Sequence, residues 1–190
     1  MEIGVTMNSR IAAPALALLL LITAVSPNPA KAQDNSPSNP AAIGSPVRSM
    51  IELGSNYDIV VTLLETVRGR EAMERLKAAS EKNVPPKAGF EYVLAHVKFE
   101  MKGRTVADNR AFDLGSLHQW FACSAELAEY EGISVTVPKP EMTGRVLSGQ
   151  SVDGWIAFAV EQKESKPLMA FDPDAGGASG RGKTLFFKLY

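Results

Sequence analysis

From Phe90 to Met101 the chain reads FEYVLAHVKFEM, with Val93, Ala95, Val97, Phe99 and Met101 at every second position. Successive side chains of a strand point to opposite faces, so this period of two predicts a strand with one continuous apolar side. Val152 to Val160 (VDGWIAFAV) repeats the pattern through Val152, Gly154, Ile156, Phe158 and Val160, and Thr184 to Tyr190 (TLFFKLY) repeats it through Leu185, Phe187 and Leu189. Tyr57 to Val67 (YDIVVTLLETV) is dense in β-branched and apolar residues and predicts another. Shorter strands are predicted at Met50 to Leu53, Ala111 to Leu114, Trp120 to Ser124, Ile133 to Val137 and Leu168 to Phe171. Some seven to nine short strands parted by Gly and Pro turns predict an all-β fold, an antiparallel β-sandwich.

One segment has a different period. In Arg70 to Lys82 (REAMERLKAASEK), Ala72, Met73, Leu76 and Ala79 fall at helical spacing, and Arg70/Glu74 and Glu71/Arg75 are i,i+4 pairs of opposite charge. The spacing predicts one short helix over 70–82, ended by Pro85-Pro86 and inserted at one end of the sandwich.

The N-terminal pattern is neither strand nor amphipathic helix. Ile11 to Val25 is an uncharged apolar run of fifteen residues behind Arg10, shorter than the roughly 20 residues of a membrane-spanning helix. A small-x-small sequence, Ala30-Lys31-Ala32, follows it. This is the form of a signal peptide, residues 1–32, cleaved between Ala32 and Gln33 and leaving no stable membrane span. Gln33 to Pro46 (QDNSPSNPAAIGSP) nearly lacks large apolar residues and is expected to be a disordered leader. The sandwich domain would then occupy 47–190, and the protein would be secreted or periplasmic, within the cell envelope.

Composition narrows the function classes. The whole chain carries a formal charge of −1, and removal of Arg10, Lys31 and Glu2 with the signal leaves −2. That is not the basic footprint of a nucleic-acid binder. One cysteine, Cys123, excludes an internal disulfide framework and reads as a buried small hydrophobe or, failing that, an intermolecular disulfide.

Candidate chemistry is sparse. Gly177 to Thr184 matches the phosphate-cradling pattern G-x-x-x-x-G-K-[ST], but that site needs a helix immediately afterwards, and LFFKLY alternates as a strand. A Gly-rich turn, with no nucleotide, is the better reading. Asp172-Pro173-Asp174 supplies too few oxygens for Ca²⁺ and reads as a turn. His96 and His118 are the only histidines, and neither has a neighbour at a metal-ligand spacing, so no metal, cofactor or catalytic residue is assigned. His118, Trp120 and Phe121 in LHQWF form the best aromatic cluster for a recognition surface, set against the alternative that they fill the core.

PPKAGFEYVLAHVKFEMKG (Pro85 to Gly103), LSGQSVDGWIAF (Leu147 to Phe158), KPLMAFDP (Lys166 to Pro173) and the closing FFKLY together carry a resemblance. Over roughly Tyr57 to Tyr190 the chain resembles a domain-of-unknown-function family of exported bacterial proteins in the immunoprotective extracellular, immunoglobulin-like superfamily. The resemblance implies an immunoglobulin-like two-sheet sandwich without known catalytic residues. Two departures stand out: the helix is longer than the usual connection, and Asp108 to Gly132 is hard to align. The expectation is therefore an exported, non-enzymatic binding or interaction module whose partner is a protein or envelope component. The alternative is a small exported hydrolase with an unrecognised site.

Overall fold

The computed structural model describes residues 1, 2, 4, 34–115, 118–175 and 180–190. The chain divides into two units, Met1–Ala30 and Lys31–Tyr190, and the second carries the fold. Apart from residues 1, 2 and 4, the expected signal peptide lies outside the described residues, as does its Ala32/Gln33 cleavage point. No helix among the described residues is long and apolar enough to cross a membrane.

The second unit is an all-β, sandwich-like fold of antiparallel strands with one helix among the described residues. Its elements are β1 (Pro46–Glu52), β2 (Asn56–Arg68), α1 (Arg70–Ala79), β3 (Phe90–Gly103), β4 (Phe112–Leu114), β5 (Trp120–Cys123), β6 (Gly144–Val146), β7 (Ser151–Glu161), β8 (Leu168–Phe171), β9 (Arg181–Gly182) and β10 (Leu185–Lys188). One sheet has the order β7-β3-β2-β1-β9, a second β10-β8-β5, and β4 pairs with β6 alone. The two larger sheets meet over one core. Val93, Ala95, Val97, Phe99 and Met101, the alternating set of β3, pack there with Ile59, Val61 and Leu63 of β2 and with Met169, Phe171 and Phe187 of the other sheet. Phe99, Phe112 and Phe171 form its aromatic centre, with ring centroids 5.6 to 6.2 Å apart.

The outer face of the large sheet has its own small core, built by a register change. β2 pairs with β3 as Leu63↔Val97 and then Glu65↔His96, so Leu64 is extra. A bulge shifts the face that later residues present. Val67, opposite Leu94, thereby turns outward and packs with Tyr92, Leu94, Ala72, Leu76 and Val137. Gly69, at φ 68°, makes the sharp exit from β2 that L side chains rarely adopt, and a Cβ there would lie 2.8 Å from the Glu91 carboxylate. Arg68 locks the corner: its Nε is 2.6 Å from Glu91 Oε1, and its terminal nitrogen donates to the carbonyl of Glu164 at 2.6 Å.

Several expectations need correction. The helix ends at Ala79, not Lys82, because Ser80 is already extended. It also lies across the face of the large sheet, where its apolar stripe has something to cover, and not at the end of the sandwich. Ile133 to Val137 forms no strand; it is pinned edge-on by Asn83, whose side chain bonds both the N–H and the C=O of Thr136. β6 and the two-residue β9 were too short to leave a periodic signal, which brings the total to ten strands among the described residues.

The leader is not disordered from Asp34 onward. Asn35, 3% exposed, donates to the carbonyl of Phe186 and accepts from its N–H. Ala41 is buried, with its N–H on Phe186 O and its C=O accepting from Lys188 N, both at 2.9 Å. The segment gains its order by satisfying the free edge of β10, for which apolar content is not required.

Candidate functional site

A groove of about 290 Å³ lies between β5 and β7. Its walls include every residue from Trp155 to Ala159 of β7 and from Trp120 to Ala122 of β5. Because neighbouring strand residues point to opposite faces, a hollow touching all of them runs along the strand edges and not over a sheet face. The third wall is the irregular segment through Tyr130, Ile133, Val135 and Val137.

Most strand edges of the two larger sheets are covered. The leader covers β10, and β9 covers part of β1. β5 is capped at its far end, where Tyr130 N–H donates to Ala122 O at 2.9 Å and Ser124 N–H to Ala128 O at 2.9 Å. β7 is capped at one point, where Trp155 N–H donates to Pro140 O at 2.8 Å and Trp155 O accepts from Met142 N–H at 3.1 Å. Gly154 permits that approach: a Cβ there would come within 2.5 Å of the backbone of Glu141 and Met142.

Those bonds fix the parity of the edge. Trp155 directs its backbone groups away from β3, and the unbroken β3–β7 register directs those of Ala157 and Ala159 the same way. Neither residue has a backbone partner there among the described residues. Across the groove, Gln119 O accepts from Asp172 N–H toward β8, so the backbone groups of Trp120 face the opening.

The LHQWF segment is divided among three environments. His118 is exposed at the groove mouth in a left-handed conformation, φ 65°. Phe121 is half-buried and belongs to neither apolar core. Trp120 is also half-buried, but its ring packs on Phe171 at 4.4 Å, and its indole N–H is enclosed without an acceptor among the described residues. Between His118 and Trp120, the wholly buried Gln119 holds the loop, accepting from Gly115 N–H and donating to Asp113 O. The three candidates named by sequence are thus brought to one groove, with Trp120 shared between groove and core. Trp155, Tyr130 and Glu129 escaped notice, because nothing local in the sequence links them to LHQWF.

Electrostatically the groove is acidic. Glu129, Glu131 and Glu141 line it, and no Lys or Arg among the described residues does. Lys87 reaches Glu131 at 3.4 Å and Lys139 reaches Glu141 at 3.2 Å from outside, whereas Glu129 has no ion pair among the described residues. Two neighbouring groups are shifted, chiefly by burial. Burial, reinforced by Glu129 and Glu164, pushes the Cys123 thiol up to about 11, and burial with Glu164 and Glu161 raises the Tyr130 hydroxyl above its ordinary value.

The geometry also bears on catalysis. At a pKa near 11 only about one Cys123 in ten thousand is thiolate at pH 7, which does not suit a nucleophile. The same burial keeps its sulfur from a second chain. His96 Nε2 lies 2.9 Å from Asp153 Oδ2, and its ring stacks on Trp155 at 4.7 Å, but no Ser, Thr or Cys bonds to it among the described residues. Arg75 sits 5.4 Å from the Trp155 ring and pairs with Glu65 and Glu71, completing a structural cluster on the outer face. No group of three or more His, Cys, Asp or Glu side chains among the described residues is arranged to hold a metal ion. Residues 176–179 of the phosphate-loop-like sequence are outside the described residues; beyond them Lys183 reaches Asp34 at 3.5 Å and the chain enters β10, a strand where the pattern needs a helix.

No protein-family model matches this chain, and no curated protein matches it in sequence. Two solved Bacillus subtilis structures are similar to it. One is the yjhA protein, with a TM-score of 0.47 and 14% identity over 72% of this chain and 84% of that one. The other is ycdA of strain 168, provisionally classed as a lipoprotein, with a TM-score of 0.48 and 10% identity over 68% of this chain. The match takes in only 36% of ycdA's length.

Proposed function

We propose that this protein is an exported, non-enzymatic binding module that captures a protein or envelope component in the groove between β5 and β7. The observation that carries the reading is the pair of strand edges, at Ala157–Ala159 and at Trp120, whose backbone groups have no partner among the described residues and lie inside one aromatic-lined hollow. Free strand edges are hazards that stable proteins cover, and here the leader, β9 and the 140–142 segment cover neighbouring edges. An edge kept open beside His118, Phe121 and Trp120 suits a surface meant to be occupied. The rigid sandwich holds the walls, and His118 and the 129–137 segment supply side chains from loops, the division of labour usual for such scaffolds. Export rests on the apolar run at 11–25 followed by Ala30-Lys31-Ala32, and residues 33–190 would form the mature protein.

The test uses the full chain, immobilised and offered extracellular and envelope fractions, beside the His118→Ala/Phe121→Ala double variant. Neither side chain lies in a core, so the thermal midpoint should stay within about 2 °C while capture is lost. A double variant that retains the same partner overturns the site. N-terminal sequencing of the exported form should begin at Gln33.

A further inference from the structure

We propose that the groove's occupant is an extended, basic polypeptide segment that adds as a strand to the open edge of β7, an inference that rests on the groove being the recognition site. The protein already displays the mode one step along the same edge. At Trp155, Pro140 O and Met142 N–H bracket the strand at 2.8 and 3.1 Å as a parallel bridge centred on Glu141. The next two positions with the same parity, Ala157 and Ala159, have no backbone partner on that side among the described residues and lie about 7 Å apart along the strand. They present two donors and two acceptors, which a small rigid ligand meets poorly and an extended main chain meets at each second residue.

The walls select the side chains. Alanine at both positions keeps the edge open to an approaching backbone, and half-buried Ile133 and Val135 offer an apolar surface beside it. Glu129, Glu131 and Glu141 line the groove; Lys87 and Lys139 pair with the latter two from outside, and Glu129 has no ion pair among the described residues, so the charge complement left open is a segment carrying Lys or Arg that reaches Glu129. Trp120, across the groove, forms part of the opposite wall.

The experiment titrates the full chain with a fluorescent (Val-Lys)6 peptide, its (Val-Glu)6 counterpart, and two forms of the Lys peptide N-methylated at every Val or at every Lys. Only one set of amides in an added strand faces β7. The Lys peptide should therefore bind, one N-methylated form should bind at least tenfold more weakly, and the other should stay within twofold. The Glu peptide should bind at least tenfold more weakly than the Lys peptide, and Glu129→Gln should narrow that gap. Ala159→Pro removes an N–H that faces the groove and not the β3 ladder, and should weaken the Lys peptide at least tenfold with a cooperative unfolding transition retained.

Equal loss, or no loss, for the two N-methylated forms overturns strand addition; if His118→Ala/Phe121→Ala still abolishes binding, the groove reading survives. Peptide binding indifferent to that double variant overturns both. Equal binding of the Glu peptide overturns the charge assignment. Failure of every peptide to bind overturns the proposal, as does a concentration-dependent dimer dispersed by Ala159→Pro, which would make the occupant a second copy.

Discussion

Asn83 offers the sharpest quantitative test of how the groove is held. It is 5% exposed, and its side-chain hydrogen bonds join three pieces of backbone. Nδ2 donates to Leu76 O and to Thr136 O, both at 2.7 Å, and Oδ1 accepts from Thr136 N–H at 2.9 Å. One amide therefore terminates α1 and clamps the 131–137 wall, using both donors and its acceptor. Asn83→Ala removes three bonds of about 1 kcal/mol net each and strands backbone groups in a poorly hydrated site, so a loss of roughly 2–4 kcal/mol is expected. In a domain of this size that corresponds to a fall in Tm of about 5–12 °C. Equilibrium urea unfolding supplies the free energy, and hydrogen exchange should show faster exchange concentrated at 131–137. Asn83→Asp sharpens the test, since an ionised carboxylate keeps the acceptor but faces two carbonyl oxygens. Its folded-state pKa should be raised, so this variant is more stable below the ordinary carboxylate pKa and loses that stability as pH rises through the folded value. A loss below about 1 kcal/mol for Asn83→Ala, with exchange at 131–137 unchanged, refutes the clamp.

Gly154→Ala places a Cβ against the Glu141–Met142 backbone and should cost about 1–3 kcal/mol, with exchange of the Met142 amide accelerated; an unperturbed amide would show that the segment can step aside freely. Arg68→Ala leaves Glu91 partly buried beside Gly69 and frees the Glu164 carbonyl, for an expected loss of about 2 kcal/mol in urea unfolding. Because burial raises the Cys123 pKa to about 11, the folded protein holds that proton after the unfolded chain has released it. This contribution is fully present below the ordinary thiol pKa and is lost as pH rises from about 9 to 11, so Cys123→Ala should flatten the stability profile in that window. Native Cys123 should also resist iodoacetamide at pH 8 and react on unfolding.

Local pattern carried the strands that face one core. The alternation from Val93 to Met101 and from Val152 to Val160 needs only the two-residue period of a strand, and the structure keeps it. The i,i+4 charges of Arg70 to Lys82 likewise located the helix, although its end and its resting place depended on what it covers. His118, Trp120 and Phe121 were legible as an aromatic cluster, but their separation into mouth, wall and core was not.

What tertiary structure alone decided was the edges. Whether the polar segment 34–46 is ordered depends on β10, 151 residues beyond Asn35 at Phe186, presenting unpaired groups for Asn35 and Ala41. Whether Val67 faces inward or outward depends on one extra residue at Leu64, a register event between two strands and invisible in either alone. The direction of the Ala157 and Ala159 backbone groups is set by pairing with β3 and reported by the bonds at Trp155. Side-chain period is a property of one segment and can be read from it, whereas hydrogen-bond pairing belongs to two segments and exists only once they meet. The sandwich core of this protein is of the first kind, and its groove is of the second.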